Sequence, residues 1–299
     1  MVIITRPDFF YLALRSSTSL LFAVLAVYVC DVSGIVNIAV EGLMLMSAFW
    51  GMAVSTWTNS SFMGVLGGIL SSIMLSALFA ALYLKLKANP IMIGLSINLF
   101  SAGFTVLLLN AFAGSKGTSI SMKSKVLPNL DIPVLKDIPI LGDVLNNHNV
   151  LTYIALVLIP LMYFMVEKTK WGLRMRAVGE SEEMARNLGV DVGKIKTFAI
   201  LLSGFLSALG GIFLSMGYVS WFSKNMTGGR GFIALAIQAF GGRSVYLSSL
   251  LAFLFGMTEI MSYNLQVFGF SVEAVKMIPF VLTMLLLVIF SKIKSQNSL

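Results

Sequence analysis

Apolar runs close to 20 residues long recur along this 299-residue chain, and they constrain its fold more than any other feature. A helix needs about 20 apolar residues to cross the hydrocarbon core of a bilayer. Such runs lie near 9–30, 41–58, 62–84, 90–112, 149–167, 195–218, 246–264 and 274–291. A shorter run, Gly231 to Gly241, is too brief to span as an ideal helix and reads as a half-helix or the start of a tilted span. The total is therefore eight or nine. Backbone groups in lipid must be satisfied within the protein, which helices achieve segment by segment. The expected fold is all-α, a polytopic transmembrane helix bundle with room for short broken helices, organised as one domain over 1–299.

Composition excludes the soluble alternatives. Charged residues make up 11% of the chain, against about 25% in soluble domains, which is too little polar surface for water. The net charge of +8 fits basic residues gathered on the cytoplasmic side of a membrane protein better than a nucleic-acid partner. The first apolar run, after Arg15, lacks a small-residue cleavage site, so no removable signal peptide is expected. Cys30 is the single cysteine and lies in an apolar run; His148 is the single histidine, with no second His or Cys to build a metal site. The stretch GVDVGK, Gly189 to Lys194, has the wrong spacing for a phosphate loop and no following Ser or Thr. No H-E-x-x-H, paired-carboxylate or nucleophile-elbow pattern occurs. The chain is thus expected to hold no cofactor or metal and to catalyse no reaction.

Lys168, Lys170, Arg174, Arg176, Arg186, Lys194 and Lys196 make up a third of the 21 basic residues. A short connection carries Lys85 and Lys87, and the tail carries Lys292 and Lys294. The positive-inside rule assigns all three regions to the cytoplasm. The linker 113–149 then faces outward, and nine crossings leave the N-terminus outside. Pro128, Pro133 and Pro139, with Asp131, Asp137 and Asp143, predict an extended or loosely folded linker. Small residues recur every fourth position at Gly64, Gly68, Ser72, Ser76 and Ala80, and again at Ser203, Ser207, Gly211 and Ser215. That spacing lets membrane helices approach closely.

The segment WGLRMRAVGESEEMARNLGVDVGKIK, Trp171 to Lys196, carries a short helix signal. Glu180, Glu182 and Glu183 complement the positive end of the helix dipole, Arg186 lies near the other end, and Gly189 suits a left-handed stop. About two turns result, with Met184, Ala185 and Leu188 read as one face. A helix this short needs something packed against it. A partner protein and the lipid surface are both open as that something.

GLRMRAVGESEEMARNLGVDV resembles the coupling loop of ABC-importer permeases for branched-chain amino acids, sugars and nucleosides. GIVNIAVEGLMLMSAFWG, Gly34 to Gly51, is similar to the family's first membrane signature, and GRGFIALA with AFGGR, Gly229 to Arg243, resembles its late one. The wording of VEGLMLM and GRGFIALA is most similar to purine-nucleoside permeases. The resemblance implies a coupling loop over 169–194, with Gly179, Glu180, Met184, Ala185, Arg186 and Gly189 at the docking helix and Arg174 and Arg176 leading into it. It also implies that Gly228, Gly229 and Gly231 shape the start of a short helix near the membrane centre. The implied partners are a cytoplasmic ATPase holding ATP and Mg, a second permease chain (related or identical), and an external solute-binding protein. The short N-terminus departs from the fuller sugar permeases and leaves the first span's equivalence open.

Polar groups within the spans point the same way, because ionisable residues in a bilayer usually face a cavity or a partner. Glu41, Asn98, Gln238 and Glu259 are such groups, and Trp50, Phe100 and Phe104 offer flat surfaces for a nucleobase. The expected path residues are Glu41, Trp50, Asn98, Phe104, Gln238 and Glu259, and interior packing is the competing role for each. Glu41 is expected at a broken-helix junction. The segments before AFWG, Ala48 to Gly51, and AFGG, Ala239 to Gly242, are the pair of interrupted helices the sequence offers. The expected function is ATP-driven import of a nucleoside. The alternatives are a branched-chain amino acid or sugar, or, from another class, an ATP-independent secondary transporter or channel.

Overall fold

A computed structural model describes residues 7–120, 122, 124–131 and 141–267, so the run at 274–291 lies outside the described residues. The elements follow the apolar runs closely. They are α1 (Pro7–Val32), α2 (Val40–Thr58), α3 (Ser61–Leu84), α4 (Pro90–Ala113), β1 (Asn129–Leu130), α5 (Leu141–Leu145), β2 (His148–Asn149) and α6 (Val150–Lys168). Then come α7 (Lys170–Glu180), α8 (Glu182–Asn187), α9 (Val192–Ile212), α10 (Arg230–Gly241) and α11 (Val245–Val267). A π-turn, Phe213–Tyr218, continues α9 without a break. Among the described residues, six helices are long and apolar enough to cross a bilayer, and α10 is a shorter apolar helix.

Helix starts are set by short polar side chains that accept from otherwise orphaned amides. Ser60 accepts from Met63, Asn89 from Ile91 just behind Pro90, Asn149 from Leu151, Thr169 from Gly172, Ser181 from Met184 and Asp191 from Lys194. Each such cap contributes about 1 kcal/mol. The backbone amide of Lys194, and after it the Lys194 side chain, hold the Asp191 carboxyl below its usual range.

Burial sorts the helices into an axis and a wall. In α1, 89% of the apolar window is buried, against 28% in each of α3, α4 and α6. The α1 helix is therefore the axis, packed by α6, α9, α10 and α11. The wall presents Leu70, Met74, Leu99, Leu107, Val157 and Phe164 outward, as a lipid-facing surface does. Both small-residue stripes are buried. The Ser72 hydroxyl donates to Gly204 O at 2.7 Å, and Gly68 and Gly64 lie against α9 and α2 too tightly for a Cβ. Lipid offers no hydrophobic gain, so this close approach is how α2, α3 and α9 cohere.

The linker after α4 is more ordered than its composition predicts. Ser119 N donates to Phe222 O at 2.8 Å, Ser124 N to Ser220 O at 2.9 Å and Leu127 N to Met216 O at 2.8 Å. Strands β1 and β2 pair antiparallel, Asn129 with Asn149 and Leu130 with His148. The described part of the linker is thus sewn to the segment after α9, because buried backbone must find partners; Pro133, Asp137 and Pro139 lie outside the described residues. His148 is buried, bonds Val144 O through Nε2 at 2.8 Å and stacks on Tyr11 at 4.2 Å. That burial lowers its pKa.

Candidate functional site

Two helices begin inside the bundle. The chain leaves α1 through Gly34, whose φ is +74°, and turns back inward over residues 35–39. Gly34 needs that conformation and also touches Gly179 of α7, where a Cβ on either would collide with backbone. Asn37 is buried, donates to Ser203 Oγ at 2.9 Å and accepts from Ala39 N at 3.0 Å. Asn98 clamps the same turn: its amide donates to Ile38 O at 2.9 Å and accepts from Gly42 N at 2.8 Å. At about 1.5 Å per residue, Ser203 lies about 16 Å along α9 and Asn98 about 12 Å along α4. The start of α2 is therefore deep in the bundle.

From that start Glu41 reaches the second interior junction. Its carboxylate accepts from Thr227 Oγ1 at 2.6 Å, Gly229 N at 2.9 Å and Gly231 N at 2.7 Å. Gly228 and Gly229 have φ of +58° and +81°, and a Cβ on Gly231 would run into the Glu41 backbone. An anion at a helix start satisfies orphan amides and complements the dipole. Glu41 thus anchors α10 at a broken-helix junction, as the sequence implies. The segments before AFWG and AFGG each hold an interruption, at 33–39 ahead of α2 and at Gly228 and Gly229 ahead of α10, whereas Ala48 to Gly51 themselves lie within continuous α2. A helix interior tolerates glycine, so Gly51 alone marks no interruption.

Glu259 meets the same junction from α11. It pairs with Arg230 at 2.8 Å, both side chains being largely buried, and accepts from Ser16 Oγ at 2.6 Å. At the other end of α10, Gln238 is buried, donates to Asp31 Oδ2 at 3.3 Å and accepts from Ser248 Oγ at 2.9 Å. Arg243 lies 3.8 Å from the same Asp31. The half-helix is therefore tied at both ends.

Trp50 and Phe104 lie elsewhere. They line a cleft of about 460 Å³ between α2, α3 and α4 with Phe100, Met46, Leu70 and Met74. Phe100 and Phe104 stack at 5.0 Å, and the lining is almost wholly apolar. The six expected path residues thus divide: Glu41 and Glu259 share the α10 start, Gln238 holds its end, Asn98 holds the α2 start, and Trp50 and Phe104 share the cleft. Hydrogen bonds and an ion pair at helix termini occupy the polar members, and of the six only Trp50 and Phe104 line the cleft.

The segment 169–194 folds as two helices joined at Ser181. Met184 and Leu188 are 69% and 80% exposed, while Ala185 is 1% exposed. The expected common face of Met184, Ala185 and Leu188 is therefore split: Ala185 packs inward and the other two form an apolar tip. Glu180 ends α7 rather than starting α8, because Ser181 takes the cap. Gly189, at φ +79°, follows α8 as expected. Arg174 and Arg186 are exposed, and Arg176 pairs with Glu167 at 2.7 Å.

Lys196, Thr227, Arg230 and Asn37 were not distinguished from sequence. Lys196 is 2% exposed, pairs with Glu182 of α8 and donates to Tyr83 Oη of α3 at 2.7 Å. The signal was its position in a buried stripe with Ile195, Ala199 and Ile200. Counting it among basic residues for orientation hid that. These contacts also bring the connection bearing Lys85 and Lys87 and the basic segment 168–194 to the same end of the bundle.

An axial helix inside a lipid-facing wall, with an interior half-helix and a protruding helical tip, defines a multi-pass membrane permease. The chain belongs to the family of the branched-chain amino acid transport system permease component, whose profile matches residues 9–289. Its relatives include the nucleoside ABC transporter permease NupC of Lactococcus lactis, 29% identical over 92% of this chain and 89% of the relative. A provisionally named glucose ABC transporter permease of Haloferax volcanii is 30% identical over 84% and 76%. The guanosine ABC transporter permease NupQ of Bacillus subtilis is 30% identical over 70% and 67%. No solved structure matches the chain at a significant level. The chain is an ABC-importer permease, a transport subunit by family.

Proposed function

We propose that this permease forms the path for a purine nucleoside in an ATP-driven importer. Two relatives named for nucleoside or guanosine transport support that substrate, one of them across 92% of the chain. The end bearing Lys85, Lys87 and the basic segment faces the cytoplasm, since cytoplasmic loops concentrate Lys and Arg; the linker 113–149 faces outward. The observation that carries the mechanism is the exposed Met184 and Leu188 tip on a helix braced from behind by Ala185. Apolar side chains protruding into water need a partner, and a groove on a cytoplasmic ATPase supplies one. That ATPase holds ATP and Mg, a second permease chain completes the channel, and an external binding protein delivers the solute. ATP-driven closure pushes α8 and tips the bundle between outward and inward access.

Uptake of labelled nucleoside into vesicles carrying the complete importer tests the substrate. Excess guanosine or adenosine is expected to abolish uptake, while leucine and glucose leave it unchanged. Competition by glucose alone would transfer the assignment to a sugar, the reading favoured by the Haloferax volcanii relative. Uptake that follows an ion gradient without ATP would point to a secondary transporter. In the same vesicles Met184→Asp is expected to insert normally and to lower ATP-coupled uptake about tenfold. Glu180→Lys, beside the cap at Ser181, acts in the same direction.

A further inference from the structure

A six-residue helix cannot transmit a push by its own stiffness; what it leans on decides which part of the bundle moves. Glu182, the first residue of α8, pairs with Lys196 in the second turn of α9. That lysine is buried, its ammonium donates to Tyr83 Oη at 2.7 Å, and it lies 4.9 Å from the centre of the Tyr83 ring. Tyr83 is the last residue but one of α3. One side chain therefore joins three helices: the tip, α9 and α3. A lysine keeps its charge out of water only where a counter-ion and acceptors surround it, which makes this contact directional.

Further up, α3 and α9 are already locked together by Ser72 and Gly204 and by the approach of Gly68 to Ile212. The α9 helix in turn carries Ser203, the partner of Asn37 at the interior turn before α2. Nothing in this chain of contacts passes through α4 or α6.

We propose that Lys196, with Glu182 and Tyr83, is a coupling latch that makes α3 and α9 move with the docking helix. Lys196 is a positioning residue in this scheme; it touches neither solute nor nucleotide. The proposal rests on the reading of α8 as the docking helix.

Two readouts in the complete importer test it. Spin labels at Asn187→Cys on α8 and Lys87→Cys beyond α3 report the separation of the two elements; native Cys30 is buried. In the wild-type background the distance distribution stays narrow through the ATP cycle. In Lys196→Met it broadens, and solute taken up per ATP hydrolysed falls about tenfold, within the usual range for coupling between sites. Lys196→Arg keeps most of the coupling, and Glu182→Gln, changed on the exposed side of the pair, reproduces the loss. Exchanging the charges, Lys196→Glu with Glu182→Lys, restores the ratio, which a plain folding defect would not allow. Either readout left unchanged by Lys196→Met overturns the latch. Failure of the wild-type chain to recruit the ATPase would instead overturn the docking reading, and the label distances still decide whether α8 is fastened to α3.

Discussion

The two interior helix starts solve one problem with different chemistry. At α2 the exposed amides are met by neutral groups, Asn37 for Ala39 and Asn98 for Gly42. At α10 they are met by a carboxylate, Glu41, which takes Gly229, Gly231 and the Thr227 hydroxyl together. A neutral amide both donates and accepts, so Asn98 can also hold Ile38 O and fasten the turn to α4. A carboxylate only accepts, but it accepts several bonds and complements the helix dipole. The junctions stand in series. Asn98 and Asn37 set the start of α2, and the second residue of α2 sets the start of α10. The contrast implies that the α2 start is fastened by neutral amides, whereas the orphan amides of the α10 start depend on one charged group, Glu41.

Breaking the charged junction has the largest expected effect. Glu41→Ala leaves two backbone amides and a hydroxyl without their acceptor inside the bundle. The cost is about 3–5 kcal/mol, seen as a large drop in the thermal midpoint of the detergent-solubilised protein and as lost uptake. Glu41→Gln keeps one acceptor and falls between. An unaltered midpoint in Glu41→Ala would remove the charged junction from the account.

Next comes Gly231→Ala, whose methyl enters the Glu41 backbone; overpacking of this kind costs about 1–3 kcal/mol. Gly228→Ala has open space and only its positive φ to oppose it, so about 1 kcal/mol is expected. Equal effects at the two glycines would mean that contact with Glu41 is not what shapes the turn. At the neutral junction, Asn98→Ala is expected to cost about 1–2 kcal/mol, less than Glu41→Ala in the same melting assay. A larger loss at Asn98 would reverse the ranking of the two starts.

The smallest effect lies outside both junctions. His148 is buried with its pKa lowered, so the packed loop holds the neutral ring. As pH falls below the ordinary value of about 6.5, the opened loop takes up a proton that the packed loop resists. Stability of the β1–β2 region is therefore lost in that window, and the loss stops once pH passes the lowered folded value. Proton-dependent hydrogen exchange at Leu127 and Leu151, corrected for intrinsic rates, should show it. His148→Phe should flatten the dependence.

By itself the sequence determined that this chain lives in a bilayer, because a 20-residue apolar run states its environment without reference to anything else. The caps at Ser60, Asn89, Asn149, Thr169, Ser181 and Asp191 act over only two or three residues, yet the structure was needed to place them: the sequence put Glu180 at the start of the short helix that Ser181 caps. The family motifs located the short helix near Met184, and Gly228 to Gly231 marked the half-helix start. What only the tertiary structure decided is which polar groups meet. Glu41 and Gly229 are joined across 188 positions and Lys196 and Tyr83 across 113, and no local pattern encodes such a pairing. The inward face of Ala185 and the zipped linker belong to the same class. Within apolar helices each residue has much the same local reason to be helical, so the choice of neighbours, and with it the site, is made by packing.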